Sequence, residues 1–500
     1  MASPFAWIRD LLGIKKDVID TKKSRLEVQK LEDDERARNL ISPATLADVE
    51  KYDPKVKKIQ QRIRSDQKLL RRFGLWTAIA VIIGQVIGVG IFLTPASMAK
   101  SVGSPFWLLV VWLVMGVMSL TGALCYGELA SRFPEAGGSY VYLREAYGKT
   151  VGFLYGWMVM LVLDPGLTAA FAVALAGYAS FFVPLSPAGK QMVAILSVVA
   201  LGMVNIFGAG LGANFLRFLT VLKIATLVCL IGYGFLGGFG SWANFSSFAV
   251  QGDPGFSLVT FAGGFIGAFF AFAGWWEVSR ITGEIENAEK IFPKALTIGV
   301  ISITIIYILT SAVLLYLVPI TEVANDETLM AEAGQVMFGR LGGGIFTAVI
   351  IISILGTILA YLMVSPRVYY AMARDGLFFR TFGDLHPRFK TPHRASLIQI
   401  VLAAVLILLG NFNQIISYFF FVVVFFLGLT VAGLFILRKR EVAGYKTPFY
   451  PVTPIFFLIL TAVVLLMVGM RNPVESSLGV GIVLLGIPAC AMFFKNRDRR

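Results

Sequence analysis

About twelve apolar stretches, each long enough to cross a lipid bilayer, follow one another along this 500-residue chain. A membrane-spanning α-helix needs roughly 20 consecutive apolar residues. Because 57% of the residues are hydrophobic and only 15% are charged, the chain has more apolar side chains than a soluble domain buries. The sequence therefore predicts an all-α integral membrane protein. Its predicted spans 1 to 12 are 75–99, 106–128, 151–183, 191–208, 218–237, 257–281, 297–318, 342–366, 396–410, 416–437, 450–470 and 476–494.

Basic residues are distributed very unevenly between the two ends of these spans. Of the 44 Lys and Arg residues, 38 lie in the N-terminal tail, in the loops after even-numbered spans and in the C-terminal tail, here called the basic end. Since loops rich in Lys and Arg stay in the cytoplasm, both termini are predicted to be cytoplasmic, with the protein in the cytoplasmic (plasma) membrane. The net charge of +14 thus reflects orientation in the lipid, and no nucleic-acid partner is predicted.

Glycines interrupt two spans in which a continuous helix would otherwise be expected. Span 1 contains Gly84, Gly88, Gly90 and Pro95, and span 6 contains four glycines within residues 263–276. Unwound backbone at membrane depth persists only where protein, water or a ligand satisfies its polar groups. Glycines that merely allow close helix packing are the alternative interpretation.

Spans 1 and 6 are also the first members of two five-span halves. Span 1 begins at the basic end and span 6 at the opposite end, so the halves would run in opposite directions. This is the inverted-repeat arrangement, which has a binding site near the bilayer midplane between paired broken helices. The free N–H groups of a break suit an anion and its free carbonyls suit a cation, so a zwitterion suits both.

These features divide the chain into three parts. Residues 1–72 are a charged cytoplasmic tail without a span or a signal-peptide cleavage site. Its start predicts a helix that lies on the membrane surface or packs on the protein's own cytoplasmic face. Residues 73–440 are predicted to form the ten-helix inverted-repeat core, and 441–500 form spans 11 and 12 with a short basic tail.

Several sequence motifs resemble the amino acid–polyamine–organocation (APC) superfamily, in particular its amino-acid transporters. The similarity covers residues from about 70 to about 440. The motifs are RRFGLW at 71–76, GVGIF at 88–92, YGELA at 126–130, RFPEAGGSY at 132–140, LREAYG at 143–148, FAGW at 272–275, GEIEN at 283–287, PRVYYAMARDG at 366–376, HP at 386–387 and TP at 391–392. The resemblance implies a secondary active transporter that moves amino acids by alternating access.

The resemblance also implies a substrate site made from the two breaks. The backbone of Gly88, Val89 and Gly90 would bind the substrate carboxylate, although Val89 replaces the family's usual small hydroxyl residue. Carbonyls of five residues would bind the ammonium: Val86, Ile87, Phe270, Ala271 and Ala273. Phe270 resembles the aromatic that closes over the ligand, and Trp275 or Trp276 would line the side-chain pocket, with simple packing as the alternative for both.

Lys223 is an ionisable residue inside span 5. The predicted span places it about five residues, or roughly 8 Å, from the cytoplasmic end. It resembles a lysine that stands where sodium-coupled relatives hold an ion, which implies a role in proton coupling or in holding the empty carrier together. The alternative is that its side chain reaches back to the membrane surface.

Asp164, Glu277 and Arg280 also lie within predicted spans, where a charge is costly. Asp164 is near the middle of span 3, where it would bind a cationic substrate group, couple a proton or pair with a donor. Glu277 and Arg280 are three residues apart, so they can form an ion pair with a structural or gating role, and Glu277 is alternatively a proton site. Glu128 is interpreted as a loop anchor.

Proton symport and amino-acid exchange both fit these features, and a polyamine or organic-cation carrier is the alternative. A membrane-embedded enzyme or channel is a remote one, since no catalytic triad, phosphate loop or filter-like ring of polar residues appears. Three cysteines and two histidines lack the spacing of a metal site, so no metal, cofactor or catalytic residue is predicted. The predicted partners are an amino acid, protons and membrane lipid, and the sequence identifies no partner subunit.

Overall fold

The computed structural model of the protein describes residues 69–88, 90–245, 258–320, 329–409, 412–440, 444–471 and 473–498. Apart from one isolated bridge between Phe73 and Ile285, the regular structure of these residues is helical. Eight helices in them are long and apolar enough to cross a membrane, and shorter apolar helices accompany them. The predicted all-α membrane fold is confirmed, whereas the count of twelve spans and the inverted repeat stay predictions. The predicted surface helix and Val89 lie outside the described residues.

Each predicted span contains a helix, but spans 5 and 7 begin nine residues earlier than predicted, and the divisions of spans 3 and 8 were not predicted. Spans 1 to 6 are Leu75–Val86 with Gly90–Val102, Pro105–Arg132, Lys149–Met158 with Asp164–Ala179, Pro187–Ile206, Ala209–Leu236, and Leu258–Phe272 with a 3₁₀-helix at Glu277–Glu284. Spans 7 to 12 are Ala288–Leu317, Gly342–Val364 with Pro366–Arg374, His393–Leu409, Phe412–Leu437, Val452–Arg471 and Pro473–Asp498. Helices Ser139–Tyr147 and Leu329–Phe338 lie in the connections between spans.

Spans 1 and 6 lie at the centre of the bundle. The first helix of span 1 packs against spans 5, 7 and 8, and the second packs against the first helix of span 6. In Leu75–Val86, ten of the twelve residues are buried. By contrast, span 5 exposes large apolar side chains such as Phe218, Val221 and Val228, as expected of a helix with one face toward lipid.

Span 3 contains one π-helical turn, Val159–Leu163, immediately before Asp164. The backbone N–H of Asp164 donates to the carbonyl of Val159, five residues earlier. Pro165 follows, and a proline ring inside an α-helix clashes with the carbonyl four residues before it. We attribute the wider turn to this proline, because the π-helical spacing moves that carbonyl away from the ring.

Candidate functional site

The break in span 1 occurs at the predicted glycines. Helix Leu75–Val86 ends before Ile87, whose backbone is non-helical (φ −74°, ψ 86°), and the next helix begins at Gly90. A Cβ atom on Gly90 would lie 2.7 Å from the Cα of Ala271. Span 1 and span 6 therefore approach so closely at this point that only glycine fits, which explains why the residue is needed.

The break in span 6 occupies residues 273–276, at the end of the predicted window. Gly274 has a φ of +114°, a backbone conformation that residues other than glycine rarely adopt. A 3₁₀-helix follows from Glu277. Phe270 and Ala273, three residues apart on one face, are partly exposed although Ala271 and Phe272 between them are buried. That face of span 6 is thus partly accessible next to the breaks.

Two of the carbonyls predicted to bind an ammonium group share a donor that the sequence did not reveal. The hydroxyl oxygen of Tyr307 in span 7 lies 2.9 Å from the carbonyl oxygen of Val86 and 2.9 Å from that of Ala271. A phenol has a single hydrogen, so it cannot satisfy both carbonyls fully. Because Tyr307 is completely buried and packs edge-on against Trp112, it holds the two breaks at a fixed separation.

Lys223 binds the break in span 1 directly. Its Nζ contacts the Ile87 carbonyl and lies 3.2 Å from the Gly84 carbonyl, and its side chain is completely buried. Its predicted position five residues into span 5 is wrong, because helix Ala209–Leu236 begins nine residues earlier than the sequence suggested. Lys223 is therefore about 21 Å along the helix, and it does not reach for the membrane surface. Its role in coupling stays a prediction.

Asp164 and Arg280 form a fully buried ion pair. Arg280 donates from one nitrogen to both Asp164 oxygens, at 2.8 and 3.1 Å, and Tyr369 in span 8 donates to Asp164 at 3.0 Å. Neither charged side chain has exposed surface. Of the three predicted roles for Asp164, pairing with a donor is the one that the contacts support.

Glu277 also takes part in this cluster, but with weaker contacts. Its predicted ion pair with Arg280 is present at 3.5 Å, and Gln85 in span 1 donates to its other oxygen at 2.8 Å. Arg280 additionally donates to the Tyr155 hydroxyl at 3.2 Å. The cluster thus connects the first helix of span 1 to spans 3, 6 and 8, on the basic-end side of both breaks.

The two tryptophans after the break in span 6 lie among aromatic side chains. Trp275 packs edge-on against Tyr126 of span 2, with the ring centroids 5.3 Å apart, and also edge-on against Phe457 of span 11. Both tryptophans border a cavity of about 10 Å³, which is the smallest size that holds a water molecule. These contacts support packing for Trp275 and Trp276, and their contact with a substrate side chain stays a prediction.

The basic end is closed by backbone and ionic contacts. The N–H groups of Arg72 and Phe73 donate to the Glu284 carbonyl at 2.8 and 2.9 Å, and the Glu284 carboxylate pairs with Arg367 at 2.6 Å. The start of span 1 is thereby joined to the end of the 3₁₀-helix and to span 8. The sequence alone does not pair these two residues, although both lie in motifs that carry the family resemblance.

A second layer of contacts covers this closure. Arg144 pairs with Asp375, and the Tyr140 hydroxyl donates to Asp375 at 2.6 Å. Burial, reinforced by the neighbouring Asp375 carboxylate, raises the pKa of Tyr140, so its hydroxyl stays a donor. Beside them a cavity of about 470 Å³, lined in part by Arg71 and Gly283, lies at the basic end.

Glu128 behaves as the predicted loop anchor. Its carboxylate pairs with Arg132 at 2.9 Å and with Arg438 at 3.1 Å, and it accepts the backbone N–H of Thr447 at 2.7 Å. It therefore fixes the connection between spans 10 and 11 against the end of span 2.

Comparison with known proteins matches residues 73–494 to the amino acid permease family model. The chain belongs to the amino acid permease family. The permease is 30% identical to the serine/threonine exchanger SteT of Bacillus subtilis over 85% of its own length and 97% of that protein. It is 28% identical to the human cystine/glutamate transporter over 85% and 86%, and 29% identical to the human Asc-type amino acid transporter 1 over 86% and 84%.

The predicted APC resemblance and the predicted transport of amino acids, by exchange or symport, are thereby confirmed. The family match also continues through spans 11 and 12, well beyond the endpoint near residue 440 that the motifs suggested. Within the permease, the contribution of each predicted residue to substrate binding stays a prediction.

Replacing Tyr307 tests whether the shared donor holds the permease's two breaks together. Tyr307→Phe leaves the Val86 and Ala271 carbonyls without it, so we expect amino acid binding to weaken by about tenfold, equivalent to 1.4 kcal/mol. Half-saturation of uptake in proteoliposomes measures the change. Tyr147→Phe is the matched control, because that hydroxyl donates to one carbonyl, of Leu429, away from the breaks. Unchanged half-saturation in Tyr307→Phe would remove this role.

Proposed function

We propose that the permease exchanges neutral amino acids across the cytoplasmic membrane by alternating access, with both termini in the cytoplasm and no catalytic chemistry. The observation that carries the proposal is the pairing of charges beside the breaks. Asp164, Arg280 and Glu277 lie at no more than 1% exposure, and both carboxylates contact Arg280. They are therefore not offered to a charged substrate side chain.

The backbone that remains suits the zwitterionic part of an amino acid. Helix Gly90–Val102 starts at the break and directs its free N–H groups and positive dipole end there, which suits a carboxylate. Helices Leu75–Val86 and Leu258–Phe272 both end at the breaks and direct their negative dipole ends there, which suits an ammonium group, and the Val86 and Ala271 carbonyls share a single hydrogen, that of Tyr307. Phe270 and Ala273 add an apolar border, so a neutral side chain fits best.

Pairing of Asp164 also argues against the polyamine alternative. A carrier of organic cations needs a carboxylate that is free to bind them, whereas both oxygens of Asp164 accept hydrogen bonds from Arg280. A second cation would have to displace a buried guanidinium, which leaves that charge without its partner.

Exchange is favoured over symport by the relatives. SteT is named as an exchanger of serine and threonine, and the match covers almost all of it. The contacts of Lys223 fit exchange, because an ammonium that already satisfies the break can hold the empty carrier together.

Counterflow in proteoliposomes tests this function. We expect uptake of labelled serine, threonine or leucine to be several-fold faster into vesicles preloaded with a neutral amino acid than into empty vesicles. An inward proton gradient without internal amino acid should give little uptake. Uptake driven by the gradient alone would replace exchange with symport, and stimulation by internal polyamines but not amino acids would overturn the substrate class.

A further inference from the structure

The buried cluster beside the breaks has more acidic than basic groups. Glu277 and Asp164 are two carboxylates, and within the part of the chain that the structure describes, Arg280 is the one basic residue at ion-pair distance from either. The other titratable groups that face Glu277 are three tyrosine hydroxyls, which belong to Tyr155, Tyr361 and Tyr369. With both carboxylates ionised, the cluster would hold one uncompensated negative charge away from water, which is strongly unfavourable.

The distances indicate which carboxylate is ionised. Asp164 accepts two short hydrogen bonds from Arg280 and a third from Tyr369. Glu277 has a 3.5 Å contact with the guanidinium and an amide hydrogen bond from Gln85. Charge-assisted hydrogen bonds stabilise the ionised form of a carboxyl group, so Asp164 is the one that stays ionised. The uncompensated negative charge would therefore be that of Glu277, and a proton on Glu277 removes it.

Gln85 is suited to bind Glu277 with or without a proton. Its Nε2 donates to Glu277, whereas its buried Oε1 has no hydrogen-bond partner among the described residues. A side-chain amide that turns over presents its oxygen in place of its nitrogen, so Gln85 can accept from a protonated Glu277 and donate to an ionised one. The unpartnered Oε1 is an acceptor directly beside the carboxyl group.

We propose that Glu277 is a proton-binding site, occupied while the basic end is closed, and that it exchanges its proton only with the cytoplasm. Above it, toward the breaks, Gly274 and Trp276 are buried. Below it, the 3₁₀-helix runs to the cavity at the basic end, where Gly283 lies about 12 Å away at 2.0 Å per residue. The residues of the 3₁₀-helix between them are buried as well, so the short path to this cavity is what distinguishes the basic end. We infer that water reaches Glu277 from the cytoplasmic side, and only when the contacts of Glu284 with Arg72 and Phe73 open.

This one-sided access fixes the direction of the pH effect. The closed conformation holds the proton and the open one hydrates and ionises Glu277, so a lower cytoplasmic pH favours closure and slows exchange. The proton returns to the side from which it came, so the pH outside has no effect. This inference rests on the proposed exchange function only for its transport consequence, not for the protonation itself.

Infrared spectroscopy of the purified full-length protein tests protonation without transport. We expect a carboxylic acid C=O band at neutral pH that Glu277→Gln abolishes. Glu128→Gln is the control, because it removes a buried carboxylate that pairs with two arginines. Gln85→Met keeps the Glu277 carboxyl group but removes its hydrogen-bond partner, so it should shift the band. This variant provides a second test if Glu277→Gln does not fold. An identical band in the wild type and in well-folded Glu277→Gln would overturn the proposal.

Exchange in right-side-out membrane vesicles tests the direction of access. With external pH fixed, internal acidification should slow wild-type exchange by up to about tenfold per pH unit, the limit for one proton. Glu277→Gln should lose this dependence, and Glu128→Gln should keep it. A Glu277→Gln protein that still responds to internal pH, or a wild type that responds to external pH, would overturn the proposal. If no exchange occurs at all, the proposed function fails and the infrared result still decides the proton site.

Discussion

Gly90→Ala should reduce amino acid exchange by about 10- to 100-fold while the protein still inserts and folds. The new Cβ would lie 2.7 Å from the Cα of Ala271 and 3.0 Å from its Cβ, so the backbones of spans 1 and 6 must separate. Overpacking of this kind costs about 1–3 kcal/mol, and each 1.4 kcal/mol is a factor of ten. Because the two breaks meet at this point, we expect the separation to weaken substrate binding and slow transport. Uptake and thermal-shift binding of neutral amino acids measure it.

Two comparisons make this result specific. Gly88→Ala should have a smaller effect, because its Cβ would meet a side-chain atom, the Thr357 hydroxyl oxygen, at 2.9 Å and not a backbone atom. Gly177→Ala in span 3 is the matched control, since nothing lies within 4 Å of the added Cβ. Normal binding by correctly inserted Gly90→Ala would show that the breaks are not the substrate site.

Arg280→Leu should destabilise the permease by about 3–5 kcal/mol, because it leaves Asp164 buried and ionised without its partner. Loss of the guanidinium also removes the contact with Glu277 and the hydrogen bond to Tyr155. Thermal or denaturant unfolding of the protein in detergent measures this change. Transport should be lost as well, since spans 3 and 6 are no longer joined in the middle of the bundle.

A double variant separates the ion pair from a general packing defect. Asp164→Asn combined with Arg280→Gln removes both charges and keeps hydrogen-bonding side chains of similar size. It should regain most of the stability that Arg280→Leu or Asp164→Asn loses alone. Stability of the double variant no greater than that of Arg280→Leu would contradict the ion-pair account.

The sequence predicted those features that depend on neighbouring residues. Apolar length marks a span, whereas the orientation expected from the charge asymmetry stays a prediction. The breaks followed from glycines near Gly88 and Gly274, because backbone conformation is a local property. The pair Glu277–Arg280 followed in the same way, since three residues bring side chains together on one helical turn.

Contacts between segments that are far apart in the sequence could not be predicted. Arg280 and Asp164 are 116 residues apart, and nothing in a single sequence pairs them. In the sequence, Tyr307 is one of many aromatic residues in apolar spans. The role of its hydroxyl follows only from the fold, which brings the carbonyls of Val86 and Ala271 together. The position of Lys223 was misjudged because the predicted span 5 begins at residue 218, whereas the helix in the structure begins at Ala209.

The π-helical turn before Asp164 sets the direction in which the Asp164 side chain points about the axis of span 3, and the central ion pair depends on that direction. Each residue of an α-helix advances the side-chain direction by about 100°. The N–H of Asp164 reaches a carbonyl five residues earlier where an α-helix would use one four residues earlier, so the wide turn takes up one extra residue. If the same residues formed an uninterrupted α-helix, Asp164 would be rotated by about that angle relative to Lys149–Met158, and its carboxylate would point away from Arg280. The wide turn thus sets which of the neighbouring helices the buried charge contacts.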